Sequence, residues 1–464
     1  MTVLDAKVAA ARAAGALSRR AGRGGTSLPG KLLMRLEPHA IRRLAGRLPN
    51  GSAVISATNG KTTTAAMVAA ILERRGARLV HNRAGANMAG GVASALLQAT
   101  RRGGRLAGDT GLFEVDEFWL GQVVGELRPR ALLLANLFRD QLDRYGELDT
   151  IADRWLEVCA HTEARLVLNA DDPTVADLGR ARGGDAAEGG WDPNPLFFGV
   201  EDDAIALSEM QHAADAKHCR RCGAPYRYDA IYLGHLGRYH CDSCGATRPE
   251  PSVSARHVVL EGVRAARFTL RTPAGERAIA MPLPGLYNVY NALGAAALAL
   301  ELGAGLDDVA AGLQAVSPAF GRAETVRVGG RELSILLVKN PAGANEVLRT
   351  LALEPGEHDV FAVLNDNIAD GRDVSWVWDA DFEVLAGRVR RATCAGTRAA
   401  EMALRLKYAG VPAERIAVEP GLDAGLDRAL AGGDGRLFAL PTYTAMLALR
   451  DVLVARGAAG SSFA

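Results

Sequence analysis

Four cysteines and one lysine stand where their spacing could do chemistry. Cys219-x-x-Cys222 and Cys241-x-x-Cys244 form two C-x-x-C knuckles with 18 residues between them, a spacing suited to tetrahedral thiolate coordination of zinc. Four thiolates leave no open coordination position, so such a site is structural and not catalytic. His218 and His240 adjoin the knuckles, but four cysteines already complete the shell. Unliganded thiols or a redox pair are the competing, weaker explanation.

Lys61 belongs to Thr58-Asn59-Gly60-Lys61-Thr62-Thr63, a run of small residues that can turn backbone N–H groups toward phosphate oxygens ahead of a helix. Lys61 would reach the terminal phosphates, and Thr62 would offer its hydroxyl to Mg²⁺. Ile55 stands where the first Gly of G-x-x-x-x-G-K-T belongs, and a bare G-K-T is common. The apolar strand Ala53 to Ser56 before it, and a helix through Met67, Val68, Ile71 and Leu72 after it, favour phosphate binding over a plain turn.

Carboxylates close three further candidate strands. Glu114 and Asp116 end the candidate strand at Leu112 to Val115, and Asp140 and Asp143 follow Ala131 to Ala135. Each pair suits Mg²⁺ ligation, or simple solvation at a strand end. Asp366, Asn367, Asp370, Gly371, Arg372, Asp373 and Ser375, followed by Trp376 and Trp378, form the densest polar cluster. Asp and Gly favour turns, so composition alone assigns it no catalysis.

The elements that must position these groups alternate. Apolar runs followed by helical segments, with another strand at Leu166 to Leu168, predict a doubly wound, mainly parallel α/β sheet with its ligand at the strand carboxyl ends. A second alternation begins near residue 326, with strands at Leu333 to Val338, Val360 to Leu364, Arg390 to Cys394 and Arg436 to Leu440, and helices at Ala399 to Tyr408 and Thr444 to Val454. The expected organisation is a helical segment over 1–45 with a Gly-rich break at Gly22 to Gly25, a central domain over 46–325 with an insertion over 215–250, and a C-terminal α/β domain over 326–464. Gly183 to Gly190 reads as a surface loop.

Lys plus Arg total 54 and Asp plus Glu 53, a net charge of +1 in 464 residues, so no global field points to nucleic acid. The apolar fraction is 48%, without a run of membrane-spanning length. The first 25 residues lack the apolar core of a secretory signal, and only Cys159 and Cys394 lie outside the knuckles. A cytoplasmic protein is expected, with room for contact at the inner face of the membrane.

Together these pieces resemble the Mur ligase superfamily, and within it the MurT-type subunits of lipid II isoglutaminyl synthases, over about residues 27 to 455. Ala57 to Thr62 is similar to the Mur phosphate loop, with Ala57 in place of a Gly. Phe113 to Glu117 resembles the strand bearing the magnesium-binding Glu. Asn136 to Tyr145 resembles an Asp-His-Leu-Asp stretch with Gln141 in place of the His, and Leu168 to Pro173 also matches. Pro284 to Asn291 resembles the adenine-contacting motif, with Tyr287 replacing a His, and Gly321 to Glu324 the element whose Arg approaches phosphate. More particular to the MurT type are the Cys₄ ribbon, Asp370 to Trp376, and a segment before the phosphate loop too short for a UDP-binding domain.

The resemblance implies a Mur-ligase-like central P-loop domain with an inserted Cys₄ zinc ribbon, followed by a smaller α/β domain. It implies ATP binding at Thr58, Asn59, Gly60, Lys61, Thr62, Thr63, Asn288, Asn291 and Arg322, with Mg²⁺ at Thr62 and Glu114 and Zn²⁺ at the four cysteines. The implied reaction is ATP-dependent amidation of the α-carboxylate of D-glutamate in the lipid II stem to D-isoglutamine. A separate GatD-type glutaminase subunit would supply the ammonia, and a carboxylate of the last domain would complete its Cys-His pair. Asp373 is the first choice for that carboxylate, Asp370 the second and Asp366 the third. No lysine lies between Lys61 and Lys217, so the carbamylated lysine that holds a second metal in many Mur ligases has no counterpart.

Two alternatives remain. One is an amino-acid-adding ligase of the Mur or folylpolyglutamate type. The other is a zinc-ribbon ATPase that binds nucleic acid through Arg220, Arg221, Arg227 and Arg238 with Tyr226, Tyr228, Tyr232 and Tyr239.

Overall fold

A computed structural model describes residues 3–20, 27–82, 86–101, 104–140, 148–182, 194–212, 214–316, 324–433 and 435–459. Gly22 to Gly25, Gln141, Asp143, Gly183 to Gly190 and Arg322 lie outside the described residues.

Strands β1 (Ser52–Ser56), β2 (Leu79–His81), β3 (Thr110–Glu114), β4 (Ala131–Leu134), β5 (Arg165–Asn169) and β6 (Leu196–Val200) precede the ribbon hairpin β7 (Arg227–Leu233) and β8 (Leu236–His240). Strands β9 (Val253–Glu261), β10 (Ala265–Thr272) and β11 (Gly275–Met281) follow it. Except for the hairpin, these strands form one nine-stranded sheet in the order β11-β10-β9-β6-β5-β4-β1-β3-β2. The pairings from β2 through β9 are parallel. β1, β3 and β4 are buried along their whole length, as strands covered on both faces must be, which is why their sequences read as continuous apolar runs. Helices Lys61–Arg74, Leu286–Glu301 and Leu306–Ala315 pack on one face. Helices Ala89–Ala99, Leu120–Leu127 and Leu148–His161 pack on the other.

The chain leaves β1, runs out to β2 and β3 on one side and crosses to β4 on the other. The sheet therefore opens a crevice at the carboxyl end of β1, where the phosphate loop lies.

One edge of the mainly parallel sheet runs antiparallel. β9, β10 and β11 pair antiparallel and extend the sheet beyond β6. Their inside-outside alternation, as in β10, is that of strands covered on one face and escapes a search for continuous apolar runs. The insertion also has a defined seat: β6 and β9 are parallel neighbours, and the ribbon hairpin lies within the crossover that joins them.

A six-stranded sheet follows, in the order β12 (Glu324–Val328), β13 (Arg331–Ile335), β17 (Leu437–Pro441), β14 (His358–Val363), β15 (Val389–Ala395), β16 (Ile416–Val418). All its pairings are parallel except β12 with β13. β13 stops at Ile335, short of the expected Val338; the remainder leads to the head of helix Pro341–Ala352.

The expected N-terminal helices are Val3–Arg20, Leu28–Leu36 and Ala40–Ala45. They lie on the sheet's own helices. Leu4, Val8, Leu33, Ile41 and Leu44 join the core on that face, and a Cβ on Gly30 would lie 2.0 Å from Gly90 O, so only glycine permits that approach. Among the described residues, no helix is long and apolar enough to cross a membrane.

Candidate functional site

β1 ends at Ser56, four residues turn, and helix Lys61–Arg74 begins at Gly60, which caps it at φ +86°. A Cβ on Gly60 would stand 2.0 Å from Asn291 Oδ1, so glycine is required by both conformation and space. The end of β4 braces the loop. Asn59 N donates to Asn136 Oδ1 (2.9 Å), Asn136 Nδ2 donates to Asn59 O (3.0 Å), and Phe138 N donates to Thr58 Oγ1 (3.1 Å). The loop is thus preorganised, with a helix N-terminus whose first N–H groups have no partners within the helix.

Lys61 Nζ sits 2.8 Å from Glu117 Oε2 and also donates to Ala57 O. Burial opposes the Lys61 charge, but Glu117 more than offsets it and holds the pKa above the usual lysine value. Burial likewise opposes ionisation of Glu117, and Lys61 and Lys339 bring its pKa below the ordinary carboxylate value. Both side chains are therefore charged. Glu114 and Asp116, 2% and 7% exposed, line the same cleft as Thr62. A hydroxyl and carboxylates gathered beside a phosphate loop form an oxygen donor set suited to Mg²⁺.

The cleft, about 500 Å³, is closed on its far side by the second sheet's helix Pro341–Ala352. Asn340 caps that helix by accepting from Gly343 N (2.8 Å) and donates from Nδ2 to Asn59 Oδ1 (3.0 Å). Lys339 Nζ pairs with Asp140 at 2.6 Å. Away from the loop the walls turn apolar: Leu233 and Leu236 from the ribbon hairpin, Leu283, Tyr287, Leu336 and Val347. Asn288 and Asn291 are buried in the same cleft, Asn291 against Gly60 of the loop; Asn291 Nδ2 donates to Asn288 Oδ1 at 3.1 Å, and Thr64 Oγ1 donates to Asn291 Oδ1 at 3.2 Å. One end is built for phosphate and the other for a flat apolar group bearing polar edges.

The four ribbon sulfurs lie within 4.8 Å of one another, with Cys219 and Cys244 at 3.6 Å and Cys222 and Cys241 at 3.5 Å. Four thiolates about 2.3 Å from one zinc would stand about 3.8 Å apart, so the cluster fits a tetrahedral ion. Each knuckle closes on a left-handed glycine, Gly223 (φ +78°) and Gly245 (φ +73°). Burial alone would raise the Cys219 thiol, but hydrogen bonds from Tyr226 and nearby backbone amides lower its pKa to about 6.

The ribbon's arginines are engaged: Arg220 with Asp149 and Asp153, Arg221 with Asp177, Arg227 with Asp242 and Arg238 with Asp203. Tyr226 and Tyr239 pack edge to face at 5.0 Å, and Tyr232 is fully buried. These groups brace the ribbon and do not form a free basic and aromatic face. Asp171, in the matching Leu168 to Pro173 stretch, ties the ribbon down by accepting from Arg248 Nε and Tyr290 OH, each at 2.6 Å.

The three C-terminal carboxylates separate in kind. Asp370 is buried and accepts from Thr444 N (2.7 Å) and Thr444 Oγ1 at the start of helix Tyr443–Ala455. Asp366 is held below its usual pKa by Thr397 and Arg398. Asp373 is exposed and accepts from Ser375 N at 2.8 Å. It lines a small cavity of about 60 Å³ beside Lys339, Asp140 and Asp370.

Of the expected site residues, Thr58 to Thr63, Glu114, Asn288 and Asn291 share the cleft, the four cysteines meet in the ribbon, and Asp370 and Asp373 stand together beyond the cleft. Glu117, Lys339, Asn340 and Glu346 were not singled out by sequence. Asn340-Pro341 is a helix-start signal that marks the place, though not its partner.

A model of the Mur ligase middle domain matches residues 55–195, and one described as MurT ligase C-terminal matches residues 337–446. The chain is 31% identical over 440 residues to the lipid II isoglutaminyl synthase (glutamine-hydrolyzing) subunit MurT of Streptococcus pneumoniae, covering 94% of each chain. It is 32% identical over 437 residues to the same subunit of Staphylococcus aureus, again over 94% of each. Among solved structures, a pseudomurein peptide ligase type C from Methanothermus fervidus superposes with a TM-score of 0.65 at 22% identity, covering 88% of this chain and 79% of that one. MurF from Acinetobacter baumannii superposes at 0.62 with 18% identity, covering 92% and 80%. At these identities the two structures speak for the fold.

Proposed function

The chain belongs to the MurT family of the Mur ligase superfamily, and from that premise we propose that it is the ATP-dependent synthetase subunit of a lipid II isoglutaminyl synthase. The carrying observation is that a phosphate loop with Lys61 and a MurT-type C-terminal segment with Lys339 face each other across one cleft.

In the proposed reaction the γ-phosphoryl group of ATP passes to the α-carboxylate of D-glutamate in the lipid II stem. The bond to the β,γ-bridging oxygen breaks, ADP leaves, and an acyl phosphate forms. Ammonia then attacks the acyl carbon, phosphate departs with the C–O bond, and a proton is lost to leave the amide. The chain's part is to position and to neutralise charge, which carries most of phosphoryl transfer. Lys61 turns from Glu117 to the β- and γ-phosphates. The N–H groups of Gly60, Lys61 and Thr62 hold phosphate oxygens, and Asn288 and Asn291 border the nucleoside. Thr62 and Glu114 would hold Mg²⁺, which neutralises charge between the phosphates. The Cys₄ ribbon would hold Zn²⁺ as a structural ion.

The ammonia comes from a separate glutaminase subunit. Cys394 is no nucleophile for that step: burial pushes its thiol up to about 12. Asp373, exposed beside the cleft, is the carboxylate offered to the partner's Cys-His pair, orienting the His and stabilising its protonated form.

The test is amidation of lipid II by this chain with ammonium and then glutamine, each with and without the candidate glutaminase. The expected result is activity with ammonium alone, and with glutamine only when the partner is present. Failure with both nitrogen sources, together with ADP release on adding an amino acid, would replace the proposal with the amino-acid-adding ligase.

A further inference from the structure

Glu346 lies on helix Pro341–Ala352, is 2% exposed and lines the cleft. Among the described residues, neither of its carboxyl oxygens has a hydrogen-bond partner. Its nearest cation, Arg349, stands 3.9 Å away and gives its guanidinium protons to Tyr232 O and Ile205 O, each at 2.7 Å. Burial pushes the carboxyl up to about 7. A carboxyl buried without partners is costly to the fold, and it calls for a reason.

The reason is legible in its position. Asn340 touches Asn59 of the phosphate loop, and Glu346 follows six residues later, about 9 Å along the helix axis at 1.5 Å per residue. That is roughly the span from a nucleotide's phosphates to its base. The same cleft is lined by Leu233, Leu283, Tyr287 and Val347, which offer the apolar faces that a base requires, and Glu346 brings a hydrogen-bonding group to it.

We propose that Glu346 is the base-reading residue of this cleft, accepting a hydrogen bond from the exocyclic amino group of adenine. The assignment rests on the ATP reading above and adds which side chain selects the nucleobase. In its neutral form the carboxyl also donates to the adjacent ring nitrogen N1, so a glutamine amide can reproduce both bonds. A thioether of similar size can reproduce neither.

The experiment compares Kd values of ATP, purine riboside triphosphate (which lacks the amino group) and 2′-deoxy-ATP for the wild-type chain, Glu346→Gln and Glu346→Met. The wild type and Glu346→Gln are expected to favour ATP over purine riboside triphosphate by about tenfold or more, and Glu346→Met to reduce that preference to within about twofold. The 2′-deoxy penalty should be equal in all three. An equal loss of affinity for all nucleotides in Glu346→Met would make the residue merely structural and overturn the assignment. A change confined to the 2′-deoxy penalty would place it on the ribose and overturn it as well. A wild type that binds ATP but ignores the amino group overturns only this assignment, whereas a wild type that binds no nucleotide overturns the ATP reading with it.

Discussion

Asn59 and Asn340 face each other amide to amide, Asn340 Nδ2 donating to Asn59 Oδ1 at 3.0 Å and Asn59 Nδ2 to Asn340 Oδ1 at 3.4 Å, across 281 residues of sequence. One belongs to the loop after β1 and the other heads the helix that follows β13. Each holds the other sheet's element at the mouth of the cleft, so the phosphate loop and the C-terminal helix are placed by the same pair of side chains.

Gly60→Ala should damage the site from within. The added methyl meets Asn291 at 2.0 Å in a left-handed conformation, a cost on the order of 1–3 kcal/mol. Thermal unfolding should show that loss, and nucleotide titration should show ATP affinity falling with it.

Lys61→Met removes the charge that Glu117 holds at 2.8 Å. ATP turnover should fall about 10²- to 10³-fold, the usual effect of losing one preorganised electrostatic group. Steady-state phosphate release measures it, and a folded variant with an unchanged rate would take Lys61 out of the mechanism.

Asp370 and Asp373 should part company. Asp370→Ala deprives Thr444 N of its 2.7 Å acceptor at a helix start and should cost about 1 kcal/mol of stability. Asp373→Asn should leave the melting temperature and ammonium-dependent amidation unchanged while abolishing glutamine-dependent amidation in the two-subunit complex. The paired assays tell the two carboxylates apart.

Metal analysis should find one zinc per chain, and Cys241→Ser should lose it. Because Leu233 and Leu236 of the ribbon hairpin line the cleft, chelation should also weaken ATP binding by about tenfold, the worth of one apolar wall. ATP affinity that survives chelation would detach the ribbon from the nucleotide.

Acid stability has a named source. Asp359 is buried, which alone would raise its pKa, but Arg390, Arg331 and Arg391 bring it to about 2. A folded pKa below the unfolded value of about 3.9 means stabilisation present above about pH 4 and lost as pH falls toward 2, roughly 2 kcal/mol in all. Asp359→Asn should lower the urea midpoint at pH 7 and flatten its pH dependence between 4 and 2.

Much of this site was legible because it is local. The loop at Thr58 to Thr63 sits between an apolar strand and a periodic helix, and the cysteine spacing names its geometry without a fold. Glu114 and Asp116 were legible as the end of a strand. Lys339 and Glu346 were not, because their meaning depends on a contact between sheets that no periodicity reports. The ranking of Asp373 over Asp370 was a choice between two carboxylates three positions apart; only the structure adds that one is tied to Thr444 and the other is exposed.

Helix Val3–Arg20 has its Leu4, Val8 and Ala11 buried against the fold, and Arg12 donates to the carbonyls of Leu97 and Gln98 at the end of the neighbouring helix. An amphipathic helix whose oily stripe is already covered cannot also bury that stripe among acyl chains. Among the described side chains of this helix, what is left to attract anionic lipid is Coulombic, the kind of contact that a salt wash removes and that needs no detergent.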